Sequence, residues 1–231
     1  MRIGLIGDSL TEGRPGVSFY RLLQKHYPHM TFVNLGKPGE SVKSLNTRLT
    51  KKTLETFDIA FLWIGVNDVY SKLLSVQAQP VAKDHEEFKE YYQKVLECVL
   101  SCSKIVITVT PAVVGEDLNN VSNQEIKQIN SLITSIAYKH GNVSTLNLHN
   151  VFEQHLSSIK SSDYISTKVL TVMKDVLFYK KTSRIDQLSK KRGLHLTLDG
   201  IHLNSRGAQI VADEYAAIID HHQFMDKNAL K

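Results

Sequence analysis

Cysteine and long apolar runs are scarce in this chain of 231 residues, and each scarcity limits what the protein can be. Its two cysteines, Cys98 and Cys102, lie four residues apart in a predicted helix, where the geometry is poor for a disulfide, so we expect reduced thiols. No apolar run approaches the roughly 20 residues that cross a bilayer. Glycines and Asp8 interrupt the apolar start of the chain, so no signal peptide is visible. We therefore expect a cytoplasmic protein without a membrane span.

Several ligand-binding patterns are also missing. The glycine spacing near the amino terminus fits neither a dinucleotide fingerprint nor a phosphate-binding loop, and no Gly-Lys-Ser/Thr follows it. No group of histidines, cysteines and carboxylates has the spacing of a metal site. We therefore expect no cofactor and no metal, and nucleotide binding becomes a weak alternative.

The net charge of +5 is concentrated in one segment. Residues 150–195 contain nine Lys or Arg and four Asp or Glu, and the remaining chain is balanced at 19 of each sign. Basic residues at helical spacing without interleaved aromatic residues are typical of a solvated surface rather than of a nucleic-acid site. We therefore expect no nucleic-acid partner. The oligomeric state stays open.

Apolar strands alternate with amphipathic helices along the chain, which predicts a parallel sheet with helices on both faces. With 42% hydrophobic residues and no repeat, low-complexity tract or linker, residues 1–231 are predicted to form a single three-layer α/β/α domain. A basic, mostly helical insertion is expected at about 150–195. The predicted buried strands are at 3–6, 31–35, 58–64, 104–109 and 143–148, with a further apparent strand at 194–198.

Four polar stretches follow predicted strands or lie in the final loop: 8–9, 36–39, 65–68 and 199–202. Loops after successive parallel strands share one edge of the sheet, and that edge is where open α/β sheets bind ligands. Residues far apart in sequence are therefore expected to meet in one crevice.

These stretches contain the groups that acyl transfer requires. Ser9 supplies a hydroxyl nucleophile, which needs a base within hydrogen-bond reach, and His202 can be that base. Asp199, three residues upstream, can fix the tautomer of the imidazole through its second nitrogen. The Ser9 N–H, a glycine N–H of the second stretch and the Asn67 amide can hold the developing oxyanion.

Each of these residues also has an ordinary structural interpretation. Asp-Ser after a strand is a common helix cap, Asp-Gly a common turn, and Asn-Asp a common turn or cap. His195 competes with His202 as the base, but in the apparent strand at 194–198 it fits a structural role better. The joint occurrence at converging positions favours the catalytic interpretation.

The chain resembles the SGNH or GDSL family of serine ester hydrolases. Four blocks match in order: Gly-Asp-Ser-Leu at 7–10, Asn-Leu-Gly-Lys-Pro-Gly-Glu-Ser at 34–41, Gly-Val-Asn-Asp at 65–68 and Asp-Gly-Ile-His at 199–202. The resemblance implies a flavodoxin-like five-stranded parallel sheet in an α/β/α sandwich (the SGNH hydrolase fold) and no bound cofactor. It also implies that Gly39, rather than Gly36, is the oxyanion glycine. The Gly-x-Ser-x-Gly elbow of α/β-hydrolases is absent around Ser9.

The resemblance implies a small-molecule ester substrate and leaves the kind of ester open. The alternatives are a carbohydrate O-acetyl esterase, a thioesterase or lysophospholipase and, from another class, a non-catalytic binding module. Residues 150–195 and 69–83 are longer than a compact member of the family needs. We expect the 155–192 segment to form either a partial lid over Ser9 or a peripheral helical pair.

Overall fold

A parallel sheet forms the centre of the molecule. The computed structural model describes residues 1–51, 53–74, 80–167 and 181–229. Five strands occur within these residues, in the spatial order β2-β1-β3-β4-β5, and every neighbouring pair is parallel. They are β1 Arg2–Gly7, β2 Thr31–Gly36, β3 Phe57–Trp63, β4 Ser103–Val109 and β5 Val143–Leu146.

The register aligns the carboxyl ends of these strands. Gly7 of β1 pairs with Gly36 of β2 on one side and with Trp63 of β3 on the other, and Trp63 pairs in turn with Val109 of β4. Each following loop therefore begins at the same edge of the sheet.

Helices cover both faces of the sheet. The helices described are α1 Ser9–Glu12, α2 Phe19–His26, α3 Val42–Leu49, α4 Val66–Tyr70, α5 His85–Leu100, α6 Val121–Ala137, α7 Leu148–Leu156, α8 Thr182–Lys191 and α9 Ser205–Ala229. Helix α2 packs against α9, whereas α3 packs against α5, and α5 against α6.

Side-chain caps define where several helices begin. Ser41 Oγ accepts a hydrogen bond from the Ser44 N–H, and Ser44 Oγ accepts one from the Ser41 N–H, so α3 starts with a reciprocal capping box. Asp84 accepts from the Glu87 N–H at 2.8 Å and caps α5. These bonds satisfy N–H groups that have no partner within the helix.

The core is continuous from the sheet into the helices. The central strands β1 and β3 are almost completely buried, as expected for parallel strands covered on both faces. Tyr215 of α9 stacks on Phe61 of β3 with ring centroids 4.1 Å apart and also meets the edge of Phe19 of α2. This aromatic cluster fixes the last helix against the first half of the chain.

The predicted fold class is confirmed, whereas the apparent strand at 194–198 is wrong. That segment makes only an isolated bridge between Thr197 and Leu203. The N–H groups of residues 195–197 bond instead to the buried carboxylate of Glu116, so the segment is mostly apolar and buried without joining a sheet. Pattern alone does not separate a buried irregular segment from a buried strand.

The basic segment at 150–195 is helical in two of its parts. The first part of the segment belongs to α7, α8 lies near its end, and residues 161–167 form neither helix nor strand. Residues 168–180 lie outside the described part of the chain, so the predicted helical insertion and the single-domain boundary stay predictions. Among the described residues, no helix is long and apolar enough to cross a membrane.

Candidate active site

Ser9 lies at the carboxyl end of β1, on the first residue of α1. Asp8 caps this short helix, and its Oδ1 accepts a hydrogen bond of 2.9 Å from the Leu10 N–H. Gly7 allows the tight departure from the sheet, because a Cβ there would lie 2.2 Å from the Trp63 carbonyl oxygen. The side chain of Ser9 is thereby held at the sheet edge while its own N–H, at the helix start, has no acceptor among the described residues.

The structure brings Ser9, His202 and Asp199 together in one hydrogen-bonded chain. Ser9 Oγ lies 3.0 Å from His202 Nε2, and His202 Nδ1 lies 2.8 Å from Asp199 Oδ2. All three residues are 5% exposed or less. A hydroxyl, an imidazole and a carboxylate in this order are what nucleophilic acyl transfer requires.

A tight turn holds Asp199 against the imidazole. Gly200 occupies the left-handed region, with φ 93°, and the backbone then returns so that the N–H groups of Ile201 and His202 both donate to Asp199 Oδ1. Burial alone would raise the pKa of Asp199. The charge of His202, its ring hydrogen bond and the two backbone bonds outweigh burial and lower this pKa below its ordinary value.

The two glycines of the second block have different environments. A Cβ on Gly36 would lie 2.2 Å from the Glu12 nitrogen, and the Gly36 N–H already donates to Asn34 Oδ1. Gly39, with φ 72°, has open space where its Cβ would be, and its N–H has no acceptor among the described residues. Gly36 therefore serves close packing, whereas Gly39 presents an unused donor.

Asn67 is oriented by the backbone of the glycine block. It lies in α4 directly after β3, and its Nδ2 donates to the Glu40 carbonyl oxygen at 3.0 Å. A side-chain amide has two hydrogens, so one remains for a further acceptor. The Glu40 carboxylate is itself buried and receives two nitrogens of Arg48, which also donates to the Leu35 carbonyl oxygen. The glycine block and Asn67 are thus fixed to each other.

Two further carboxylates are buried beside these residues. Burial raises the pKa of Asp8 to about 7, and burial raises that of Asp68 to about 7 as well. Asp68 Oδ2 accepts from the Val42 N–H at 2.9 Å, so it connects α4 to the start of α3. The sequence predicted no separate role for either residue beyond membership of the blocks at 7–10 and 65–68.

Structural contacts that sequence analysis missed lie in the loop after β4. Gly115 donates its N–H to the Gly200 carbonyl oxygen at 2.7 Å, and Glu116 receives the N–H groups of residues 195–197. The available signal was topological, because this loop also follows a parallel strand and must reach the same sheet edge. His195, the alternative base, has its backbone N–H on Glu116 and its Nε2 3.4 Å from the Lys160 carbonyl oxygen.

Part of the basic segment contacts the turn that contains Asp199. The Ser166 N–H donates to the Asp199 carbonyl oxygen at 2.9 Å, and the Tyr70 hydroxyl donates to the Ser166 carbonyl oxygen. A Cβ on Gly200 would lie 2.8 Å from the Tyr164 carbonyl oxygen. Residues 161–167 therefore pack on the turn, while the central part of the expected lid, 168–180, lies outside the described residues.

The described residues do not contain three His, Cys, Asp or Glu side chains grouped so that they could hold a metal ion. Cys98 and Cys102 are both free thiols, and the Cys102 Sγ lies 3.6 Å from the Cys98 carbonyl oxygen.

The sequence matches the model of the GDSL-like lipase/acylhydrolase family over residues 3–215. The chain belongs to this family. It is a carboxylic ester hydrolase.

Solved structures share the fold at low sequence identity. LAE5, an α/β hydrolase from the metagenome of Lake Arreo, Spain, has a TM-score of 0.66 at 18% identity, covering 94% of this chain and 93% of its own. The acetyl xylan esterase AlAXEase has a TM-score of 0.65 at 21% identity, covering 95% and 100%. Axe2, an acetylxylan esterase from Geobacillus stearothermophilus, has a TM-score of 0.61 at 18% identity, covering 93% and 91%. No curated protein matches the chain by sequence.

Proposed function

We propose that this protein hydrolyses acyl or acetyl esters of small molecules through Ser9, His202 and Asp199, by way of an acyl-enzyme. The observation that carries the proposal is the unbroken hydrogen-bonded chain, with 3.0 Å from Ser9 Oγ to His202 Nε2 and 2.8 Å from His202 Nδ1 to Asp199 Oδ2. Both distances are within the range needed for proton transfer and for fixing a tautomer.

In the first half of the reaction, Ser9 Oγ attacks the ester carbonyl carbon while His202 Nε2 takes the hydroxyl proton. Asp199 keeps the other ring proton on Nδ1 and stabilises the imidazolium that forms. Its lowered pKa supports this role, because the carboxylate stays ionised next to the cation. His202 then protonates the alcohol, which leaves, and the acyl group stays on Ser9.

The tetrahedral intermediate carries negative charge on the former carbonyl oxygen. We assign three donors to this oxyanion: the Ser9 N–H, the Gly39 N–H and the second hydrogen of Asn67 Nδ2. The two backbone donors have no acceptor among the described residues, and the contact of Asn67 with the Glu40 carbonyl oxygen fixes the amide in advance. Donors that are already oriented need no reorganisation as charge develops.

In the second half, water attacks the acyl-enzyme as His202 Nε2 removes its proton. The resulting intermediate collapses, the Ser9 oxygen regains the proton from His202, and the carboxylic acid departs. Apart from the ester and the attacking water, the groups named in this scheme are side chains and backbone N–H groups of the chain itself.

Acetylated carbohydrate is a second, narrower candidate substrate. The acetyl xylan esterase AlAXEase and the acetylxylan esterase Axe2 share the fold over more than nine-tenths of the chain. Thioesters, lysophospholipids and non-catalytic binding remain the competing hypotheses.

A panel of esters tests the proposal. Acetyl to long-chain p-nitrophenyl esters, acetylated xylan and acyl-thioesters are supplied to the wild type, to Ser9→Ala and to Ser131→Ala, an exposed serine of α6. Ser9→Ala is expected to lower kcat by roughly 10⁴-fold or more and to abolish labelling by a fluorophosphonate probe, with the fold intact. Ser131→Ala should behave as wild type. Near wild-type turnover by Ser9→Ala would contradict the assignment, and acetate release restricted to acetylated sugars would select the narrower candidate.

A further inference from the structure

Glu116, in the loop after β4, is a buried carboxylate that receives four hydrogen bonds from one short segment. Its Oε2 accepts from the His195 N–H at 2.7 Å. Its Oε1 accepts from the N–H groups of Leu196 and Thr197, each at 2.8 Å, and from the Thr197 hydroxyl at 2.7 Å. The residue is 2% exposed, and all four partners are donors, which is the set that a carboxylate satisfies.

Within the described part of the chain, the segment that Glu116 holds pairs with no strand and makes only the isolated bridge between Thr197 and Leu203. Residues 194–198 are irregular and, apart from the half-buried His195, buried, so the N–H groups of 195–197 would lack acceptors without this carboxylate. The carbonyl oxygens of Thr197 and Leu198 are satisfied from the other side by α8 and the residue after it, and that of Leu196 accepts from the Asn204 N–H. Ser189 Oγ donates to the Thr197 carbonyl oxygen at 2.6 Å, and Arg192 donates to that of Leu198 at 2.9 Å. Glu116 therefore takes the place of an adjacent strand.

This segment leads directly into the turn that contains the proposed acid and base. Asp199 follows Thr197 by two residues, and His202 follows by five. The neighbour of Glu116 also holds the turn, because the Gly115 N–H donates to the Gly200 carbonyl oxygen at 2.7 Å. A displacement of residues 195–197 would therefore change the position of the imidazole relative to Ser9.

We propose that Glu116 is a positioning residue for proton transfer, which acts through residues 195–197 to hold His202 in reach of Ser9 and Asp199. The inference rests on the proposed function of these three residues. Glu116 touches none of the reacting atoms in this scheme, and its contribution is the geometry of the acid–base turn. Substitution should therefore lower kcat while leaving substrate binding almost unchanged.

Glu116→Gln is the main test, because it keeps the size of the side chain and turns one acceptor into a donor. That donor would oppose the backbone N–H groups that the carboxylate now accepts. We expect kcat to fall at least tenfold and KM to change by less than threefold. The low-field proton resonance of the His202 Nδ1–H, which reports the bond to Asp199, should shift. Asp58→Asn is the matched control: Asp58 accepts the Arg2 N–H at the opposite edge of the sheet, and its loss should leave kcat and the resonance unchanged.

A milder pair of variants decides the question if Glu116→Gln does not fold. Thr197→Val removes only the hydroxyl that donates to Glu116 and should lower kcat two- to fivefold, whereas Thr197→Ser keeps the hydroxyl and should restore it. The proposal is overturned if folded Glu116→Gln has kcat within twofold of wild type, if kcat falls without any shift of the resonance, or if the two Thr197 variants turn over at equal rates. A wild type that is inactive on every ester and unlabelled by fluorophosphonate refutes the proposed function instead, and the resonance still reports on Glu116.

Discussion

The turn after β1 and the turn that contains His202 each bury one aspartate near the same imidazole, but they hold their carboxylates differently. The pKa of Asp8 is raised to about 7, first by burial and then by the nearby charges of Glu40 and Asp68, although the Leu10 N–H and the charge of His202 lower it. Burial also opposes ionisation of Asp199, yet its pKa is lowered because His202 and two backbone N–H groups favour the charged form.

The two aspartates are buried to the same depth, so the contacts of each carboxylate, above all the charge and ring hydrogen bond of His202 at Asp199, account for the difference. Asp8 is a helix cap and receives one N–H, which is all that the first turn of α1 directs toward it. Asp199 lies in a turn whose backbone folds back over it, and it receives two N–H groups and a ring nitrogen. Only Asp199 is therefore suited to stabilise an imidazolium.

Among the variants that test this comparison, Asp199→Asn should lower kcat the most. Asparagine keeps the size of the side chain but loses its charge, and its amide favours the wrong tautomer of His202. We expect kcat to fall by roughly 10⁴-fold with the fold unchanged. The measurement is kcat and KM on the best ester of the panel, with circular dichroism as a check on folding.

Asp8→Asn provides the control for that prediction, because it removes the charge of the other buried aspartate. It should lower kcat by less than about tenfold, since asparagine caps a helix as well as aspartate does. Equal losses in the two variants would show that the two carboxylates do not differ in function.

Asn67→Ala should have the next largest effect. It removes one assigned oxyanion donor, which typically costs roughly 10²- to 10³-fold in kcat. Asn130→Ala is a matched control, because Asn130 is equally buried, at 7% exposed, and likewise donates one amide hydrogen to a backbone carbonyl, that of Pro111. It should lose stability but keep kcat within about threefold. A similar loss of kcat in both variants would refute the role assigned to Asn67.

Much of this arrangement could be predicted from sequence because it follows from strand order. Apolar runs separated by amphipathic helices predict parallel strands, and parallel strands place their following loops at one edge. That reasoning is sufficient to bring the residues at 8–9, 39 and 67 to one edge, whereas 199–202 lie in the final loop and were assigned to the same crevice from their residue types and the family resemblance. The choice of Gly39 over Gly36 came instead from the family resemblance, and the space around the two glycines agrees with that choice.

The supports of the site could not be predicted in the same way. Glu116 is separated from the segment that it holds by about 80 residues, and the sequence around Glu116 does not indicate which residues it contacts. The same segment was predicted as a strand because burial by side-chain hydrogen bonds leaves the same apolar pattern as burial in a sheet. Glu40 and Arg48 lie only eight residues apart, yet their pairing depends on the path of the loop between β2 and α3.

Asp8→Asn should also change stability, and this is the smallest effect that sharpens the comparison. Moving a pKa from its ordinary value of 3.8 to about 7 disfavours the ionised native state by at most roughly 4 kcal/mol. Between these values the native protein keeps a proton on Asp8 that the unfolded chain has released. The native state is therefore destabilised progressively as the pH rises from about 4 to about 7.

Asparagine cannot ionise, so the stability of Asp8→Asn relative to wild type should increase with pH. We expect the difference in the free energy of unfolding to grow by roughly 2 kcal/mol between about pH 5 and about pH 8, as measured by urea denaturation. Asp68 has a raised pKa as well, but it is present in both proteins, so its contribution cancels in the difference except for its repulsion with the Asp8 charge. A difference that does not change with pH would mean that Asp8 is ionised as readily as Asp199, and the contrast between the two turns would then be lost.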